Sequence, residues 1–155
     1  MSLWFISRHG EAEPKADRDF DRCLTSLGKA NILQLWEQMK SDGEQLPTAI
    51  LASPYVRAQE TAALIAEVVA VPKIQTSELL VPDASVSNLL EELSLHHNPS
   101  ESLLLVTHMP FVGQLYSQWC HGIGAPAASF ATGQVVAIKG EPSLGGAKLL
   151  RKYTA

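Results

Sequence analysis

Arg8 and His9 stand side by side where a short apolar run, Leu3 to Ser7, stops. Arg57 follows a second apolar run, Ala49 to Ala52, by about one helical turn, and His108 follows a third, Ser102 to Thr107. Two arginines and two histidines brought together can hold an anion. A phosphoryl group fits best, because a guanidinium fork meets its oxygens in pairs and two arginines neutralise a dianion. A histidine in that company has a further use. Neutral imidazole is a good nucleophile toward phosphorus, and flanking arginines disfavour its protonated form. His9 is therefore the candidate for covalent attack, and Arg8, Arg57 and His108 are the candidates for holding the phosphoryl oxygens.

These residues converge only if the three apolar runs lie side by side. Between them the spacing predicts helices. Ile32, Leu35, Trp36 and Met39 mark one stripe on a helix from about Thr25 to Lys40, with Thr25 as N-cap and Gly43 just past its end. Ser53 and Pro54 read as the cap and first residue of a second helix, with Tyr55, Ala58, Ala62, Ile65 and Val69 on its stripe and an end before Pro72. Val86, Leu89, Leu90 and Leu93 predict a third helix, closed by Asn98 and Pro99. Pro110 opens a fourth carrying Phe111, Leu115 and Trp119. Gln134 to Lys139 and Ala147 to Tyr153 read as two last strands, either a hairpin or one strand and a tail. Residues 10–24 hold five acidic residues without periodicity and read as a surface loop.

Strands alternating with amphipathic helices predict an α/β fold: a three-layer sandwich, mostly parallel sheet with helices on both faces, in one domain over residues 1–155. Parallel strands bring the three corners to one sheet edge, where ligands of such folds bind. Helices starting at Ser53-Pro54 and His108-Met109-Pro110 would add the positive ends of their dipoles.

Four stretches, RHG at 8–10, LTSLG at 24–28, SPYVRAQET at 53–61 and VTHMP at 106–110, resemble in order and spacing the histidine phosphatase superfamily, also called phosphoglycerate mutase-like. The resemblance runs from the first strand to the helix after His108. It implies that His9 becomes phosphorylated, that Arg8 and Arg57 bind the phosphoryl oxygens, and that His108 completes the pocket. Arg22 occupies the place of a further pocket arginine, although Cys23 stands where relatives usually have proline. No metal or other cofactor is implied.

Within that superfamily the chain most resembles the small bacterial phosphohistidine phosphatases of the SixA type. Only 50 residues separate Arg57 from His108, too few for the lid that covers the site in longer relatives, so an open pocket is expected. Relatives acting on phosphate esters carry a glutamate shortly after the third strand to protonate the departing oxygen. The matching stretch here is SELLVPDAS, with Val81 or Pro82 about in register and Glu78 and Asp83 flanking it. An alkoxide needs a proton as it leaves, whereas imidazole, whose conjugate acid has a pKa of about 6.5, can leave already protonated.

The expected substrate is thus a phosphohistidine-bearing protein, either a phosphotransfer domain or a phosphocarrier. Alternatives are a phosphatase for a small phosphate ester, with Glu78 or Asp83 as proton donor, and a noncatalytic phosphate-binding module. The latter has no use for a nucleophile. Twelve basic against sixteen acidic residues disfavour a nonspecific grip on nucleic acid or an anionic membrane. No apolar run approaches the roughly 18 residues of a membrane span, and Arg8 interrupts the N-terminal run before it could serve as a secretory signal. A cytoplasmic protein, favoured as a monomer, with Cys23 and Cys120 reduced, is the expectation.

Other histidines read blandly. His96 and His97 are expected as solvated helix-end residues, and His121 beside Cys120 has no second pair with which to bind metal. Trp36 and Trp119 belong to the core.

Overall fold

The computed structural model describes residues 2–154. β1 (Ser2–Arg8), β2 (Ala49–Ala52), β3 (Ile74–Thr76) and β4 (Leu103–Thr107) pair in parallel. β5 (Val135–Gly140) and β6 (Ala147–Tyr153) complete a six-stranded sheet in the order β3-β2-β4-β1-β5-β6. β5 runs antiparallel to both β1 and β6, so the last two strands form the hairpin.

The central strands are apolar at nearly every position because both of their faces are covered. Leu103 to Thr107 is buried throughout. Successive residues of β1 enter opposite layers. Trp4 and Ile6 pack with Leu89 and Leu93 of α3 (Val86–His96) and with Phe111, Leu115 and Trp119 of α4 (Phe111–His121). Phe5 packs with Ile32 and Trp36 of α1 (Ser26–Ser41) and with Ala62 and Ile65 of α2 (Val56–Val69). Trp4, Trp36 and Trp119 are all fully buried. Truncating any of them to alanine costs about 3–5 kcal/mol.

Thr25 caps α1 as expected, accepting a hydrogen bond from the Gly28 amide at 2.9 Å. The start of α2 differs from the expectation. Its cap is Tyr55 rather than Ser53, and the first helical residue is Val56. The Ser53 hydroxyl accepts from the Tyr55 amide at 3.3 Å and also reaches His108, so a turn precedes the helix. The buried stripe accordingly carries Arg57, Thr61 and Val68, while Tyr55 and Val69 are half-buried. Residues 10–24 contain more structure than a bare loop: a bridge between Ala12 and Leu24 and a 3-10 turn, Asp19–Asp21. Ion pairs described below hold this turn, and they have no sequence periodicity to announce them. Among the described residues no helix is long and apolar enough to cross a membrane.

Candidate active site

β1, β2 and β4 end at one level. Arg8 pairs in register with Thr107, and Ala52 with Val106. The next residues, His9, Ser53 and His108, emerge together at the carboxyl edge of the sheet. His9 is fixed through its backbone, donating its amide to Thr107 O at 3.0 Å and accepting from the Gly133 amide at 2.8 Å. The Gly10 amide donates to Thr61 Oγ1 on α2 at 3.0 Å, and that hydroxyl donates to Arg57 O at 2.7 Å. The turn bearing His9 and the helix bearing Arg57 are thereby locked together.

The two ring nitrogens of His9 have partners that assign its tautomer. Nδ1 lies 2.7 Å from Gly10 O, which can only accept, so Nδ1 carries the proton. Nε2 lies 3.3 Å from Arg57 Nε, which can only donate, so Nε2 keeps its lone pair. His9 is 5% exposed, and burial pulls its pKa down to about 4, with Arg57, Arg8 and Arg22 acting in the same direction and the Gly10 carbonyl against it. The arginines inferred from sequence as the cause are therefore secondary to burial. At neutral pH the ring is uncharged and its Nε2 lone pair, met by Arg57 Nε, is chemically able to act as a nucleophile.

His108 lies against it, with ring centroids 5.2 Å apart. Its Nε2 is 2.7 Å from Ser53 Oγ. That oxygen accepts from the Tyr55 amide and can either donate its proton to His108 Nε2 or accept from it, so the contact is compatible with either His108 tautomer. Burial first, then His9 and the arginines, lower the His108 pKa to about 3. Arg8 donates from Nη1 to Phe130 O at 2.8 Å. Burial, Arg57 and Arg22 lower its pKa. Arg8 Nε and His108 Nδ1 are buried without a protein partner; an oxyanion beside His9 would satisfy Arg8 Nε, and also His108 Nδ1 in the tautomer that carries its proton there.

Arg57, buried to 5% exposure, makes no pair with Glu60. Glu60 accepts from the Leu24 amide and pairs with Lys29. The Arg57 guanidinium instead donates from Nη1 to Asp19 O at 2.8 Å and from Nη2 to Asp19 Oδ2 at 3.2 Å. Arg22, half-buried, donates from Nη1 to Asp19 Oδ1 at 3.0 Å and from Nε to Glu13 O at 2.6 Å. Asp19 thus ties Arg22 to Arg57, and sequence reasoning passed over it. Its only signal is a carboxylate three residues before Arg22. Ser53 and Tyr55 were also missed as site residues. The Tyr55 ring meets His108 edge-on at 4.9 Å and lies 5.0 Å from both the Phe20 ring and the Arg57 guanidinium carbon.

Glu78 and Asp83 are exposed. Glu78 lies in a 3-10 turn, Glu78–Leu80, whose Leu80 carbonyl accepts from the Thr107 hydroxyl, so the turn sits at the same sheet edge. Neither carboxylate bonds to the residues above among the described residues. His97 departs from expectation: it is half-buried, stacks on Trp4 at 4.1 Å and bonds Ser2 Oγ at 3.2 Å. His96 is exposed beside Glu92, and His121 lies edge-on to Tyr116. Among the described residues no cluster of His, Cys, Asp and Glu is suited to a metal ion. Between Arg57 and His108 the chain forms the rest of α2, then β3, the 78–80 turn, α3 and β4, all within the core layers. The rim of the site is built from elsewhere, by Asp19, Phe20 and Arg22 and by Phe130 and Gly133 before β5.

The family model of the histidine phosphatase superfamily (branch 1) matches residues 4–80, a stretch containing Arg8, His9, Arg22 and Arg57. The chain is 32% identical over 122 residues to a phosphohistidine phosphatase SixA homolog of Haemophilus influenzae, covering 74% of each chain. It is 28% identical over 138 residues to phosphohistidine phosphatase SixA of Escherichia coli K12, covering 86% of this chain and 83% of that one. A solved structure of the protein histidine phosphatase SixA, complexed with tungstate, superposes with a TM-score of 0.86 at 25% identity, over 98% of this chain and 96% of that one. Sequence, fold and the gathering of both histidines at one sheet edge agree, and the chain belongs to the histidine phosphatase superfamily, where it resembles SixA.

Proposed function

We propose that the protein is a phosphatase that removes the phosphoryl group from phosphohistidine on another protein, through a phosphorylated His9. The observation that carries this reading is the tautomer of His9: its proton is held by Gly10 O and its Nε2 lone pair is presented beside Arg57. Nε2 attacks phosphorus in line as the bond to the substrate nitrogen breaks. Arg8, Arg57 and His108, with Arg22 at the rim, meet the charge on the equatorial oxygens. Water then attacks the phosphorylated His9, which leaves as neutral imidazole with its Nδ1 proton retained. Side-chain cations meet the charge at every step of this route, which uses no metal.

Three features favour a protein phosphohistidine over a small ester. The stretch between Arg57 and His108 carries no inserted domain that would cover the site, and Asp19 at its rim is exposed, so a side chain displayed on another protein can approach. Among the described residues no carboxyl group bonds to His9 or His108 with a proton to give: Glu78 and Asp83 make no bond to the site, and Asp19 is held ionised between two arginines. Two of the curated relatives and the solved structure of TM-score 0.86 are named for phosphohistidine or protein histidine phosphatase.

The test compares phosphate release from a histidine-phosphorylated carrier protein, a serine-phosphorylated peptide and sugar phosphates, without added metal and with His9→Ala as the blank. Fast release from the phosphohistidine alone is expected, with none from the folded variant. Measurable turnover by folded His9→Ala would remove His9 as nucleophile. Equal or faster ester cleavage would favour the second reading, an ester phosphatase, which draws on the position of the Glu78 turn beside Thr107. Glu78→Gln would then depress alkyl ester hydrolysis far more than aryl phosphate hydrolysis.

A further inference from the structure

Among the described residues the one carboxylate bonded to the phosphoryl-binding arginines is Asp19, and an anion in an anion pocket needs a reason. Its Oδ2 lies 3.2 Å from Arg57 Nη2 and its Oδ1 3.0 Å from Arg22 Nη1. Through its Nε the same Arg57 guanidinium reaches the nucleophile, His9 Nε2, so a single guanidinium separates the carboxylate from the attacking atom. Each carboxylate oxygen has two acceptor sites, and one on each is used. The side chain is 58% exposed, so the remaining sites face whatever enters from solvent. Phe20 and Tyr55, both half-buried with rings 5.0 Å apart, give the adjoining rim apolar surface that a flat ring would cover.

We propose that Asp19 is a specificity-determining residue whose carboxylate accepts the ring N–H of the departing imidazole, favouring phosphohistidine over phosphate esters. This inference rests on the phosphohistidine reading above. In the transfer step the bond from phosphorus to the substrate nitrogen breaks and the bond from phosphorus to His9 Nε2 forms. The substrate ring enters protonated on its other nitrogen and keeps that proton, so it leaves as neutral imidazole. A carboxylate at that N–H stabilises the protonated ring and makes it the better leaving group. His9 becomes the cationic phosphoimidazole, its Nδ1 proton still on Gly10 O.

The same carboxylate disfavours an ester. Hydrogen bonding to Arg22, with help from Arg57, holds the Asp19 carboxyl below the usual carboxylate range, so at neutral pH it has no proton to donate. An oxygen leaving group brings growing negative charge and no N–H, and meets only repulsion.

The experiment measures kcat/KM for phosphoimidazole and for phenyl phosphate, from pH 6 to 9, with the wild-type chain and Asp19→Asn. The expected result is a loss of about tenfold or more on phosphoimidazole that deepens as pH rises, because the ring now loses its proton at lower pH. Because Asp19 also holds Arg57 and Arg22, phenyl phosphate hydrolysis should fall as well, but by a markedly smaller factor that does not deepen with pH. Equal losses on both substrates would mean that Asp19 only holds Arg57 in place, and no change on either would mean that it contacts nothing in the reaction; each overturns the inference. A wild-type chain that hydrolyses phenyl phosphate but not phosphoimidazole would instead remove the phosphohistidine reading, and this inference with it.

Discussion

His9 shows how a residue acquires chemistry from its surroundings. Exposed imidazole is half protonated near pH 6.5, and a protonated ring cannot attack phosphorus. In the folded chain burial first and the arginines second push His9 down to about 4, and His108 to about 3. The expected outcome is measurable directly. In a ¹⁵N-resolved NMR titration the ring signals of His9 and His108 should hold constant from pH 8 to 5.5, with the Nδ1-protonated form at His9. A midpoint near 6.5 for His9 would show that the pocket is wetter than the structure describes.

At the scale of elements, the site depends on how closely the segment after β1 lies on α1. A Cβ at Gly28 would come within 2.2 Å of Glu11 O. Glu11 also accepts from the Thr25 amide at 2.9 Å and adjoins Gly10, whose carbonyl holds the His9 proton. Alanine is favoured over glycine inside a helix by about 1 kcal/mol. Here the clash is with backbone, which cannot rotate aside, so overlap outweighs propensity. Gly28→Ala should destabilise the chain by about 1–3 kcal/mol in urea unfolding and lower kcat/KM on an aryl phosphate. A more stable variant would mean that the loop yields without cost.

Considered as a whole molecule, the buried neutral histidines link stability to pH. Their folded pKa values lie below the unfolded value near 6.5, so the unfolded chain binds protons that the native chain refuses. Stability from this source is complete above pH 6.5 and lost as pH falls toward 4, at up to about 1.4 kcal/mol per pH unit for each histidine. The lowered carboxyls of Asp19 and Asp21 add loss of the same sign at lower pH. Thermal unfolding should therefore show Tm decreasing from pH 7 to pH 5, and a flat profile across that range would contradict the burial of both rings. The two core layers cover the rings from below, while the exposed Asp19 marks the solvent side of the site.

The sequence by itself determined the elements and their order, because an apolar residue repeating every two or every 3.6 positions leaves few choices of structure. It also marked Arg8, His9, Arg57 and His108, since strand ends in an α/β fold share one edge. It left open whether the last two strands pair, which only the antiparallel contact of β5 with β1 and β6 decided. The start of α2 was misplaced because the Ser53 hydroxyl turns to His108, 55 residues away in sequence. Asp19 lay hidden for the same reason. Its partner Arg57 is 38 residues distant, and an ion pair across such a gap leaves no periodic trace. Local chemistry is written along the chain, but which carboxylate meets which arginine is settled only when strands, helices and loops pack.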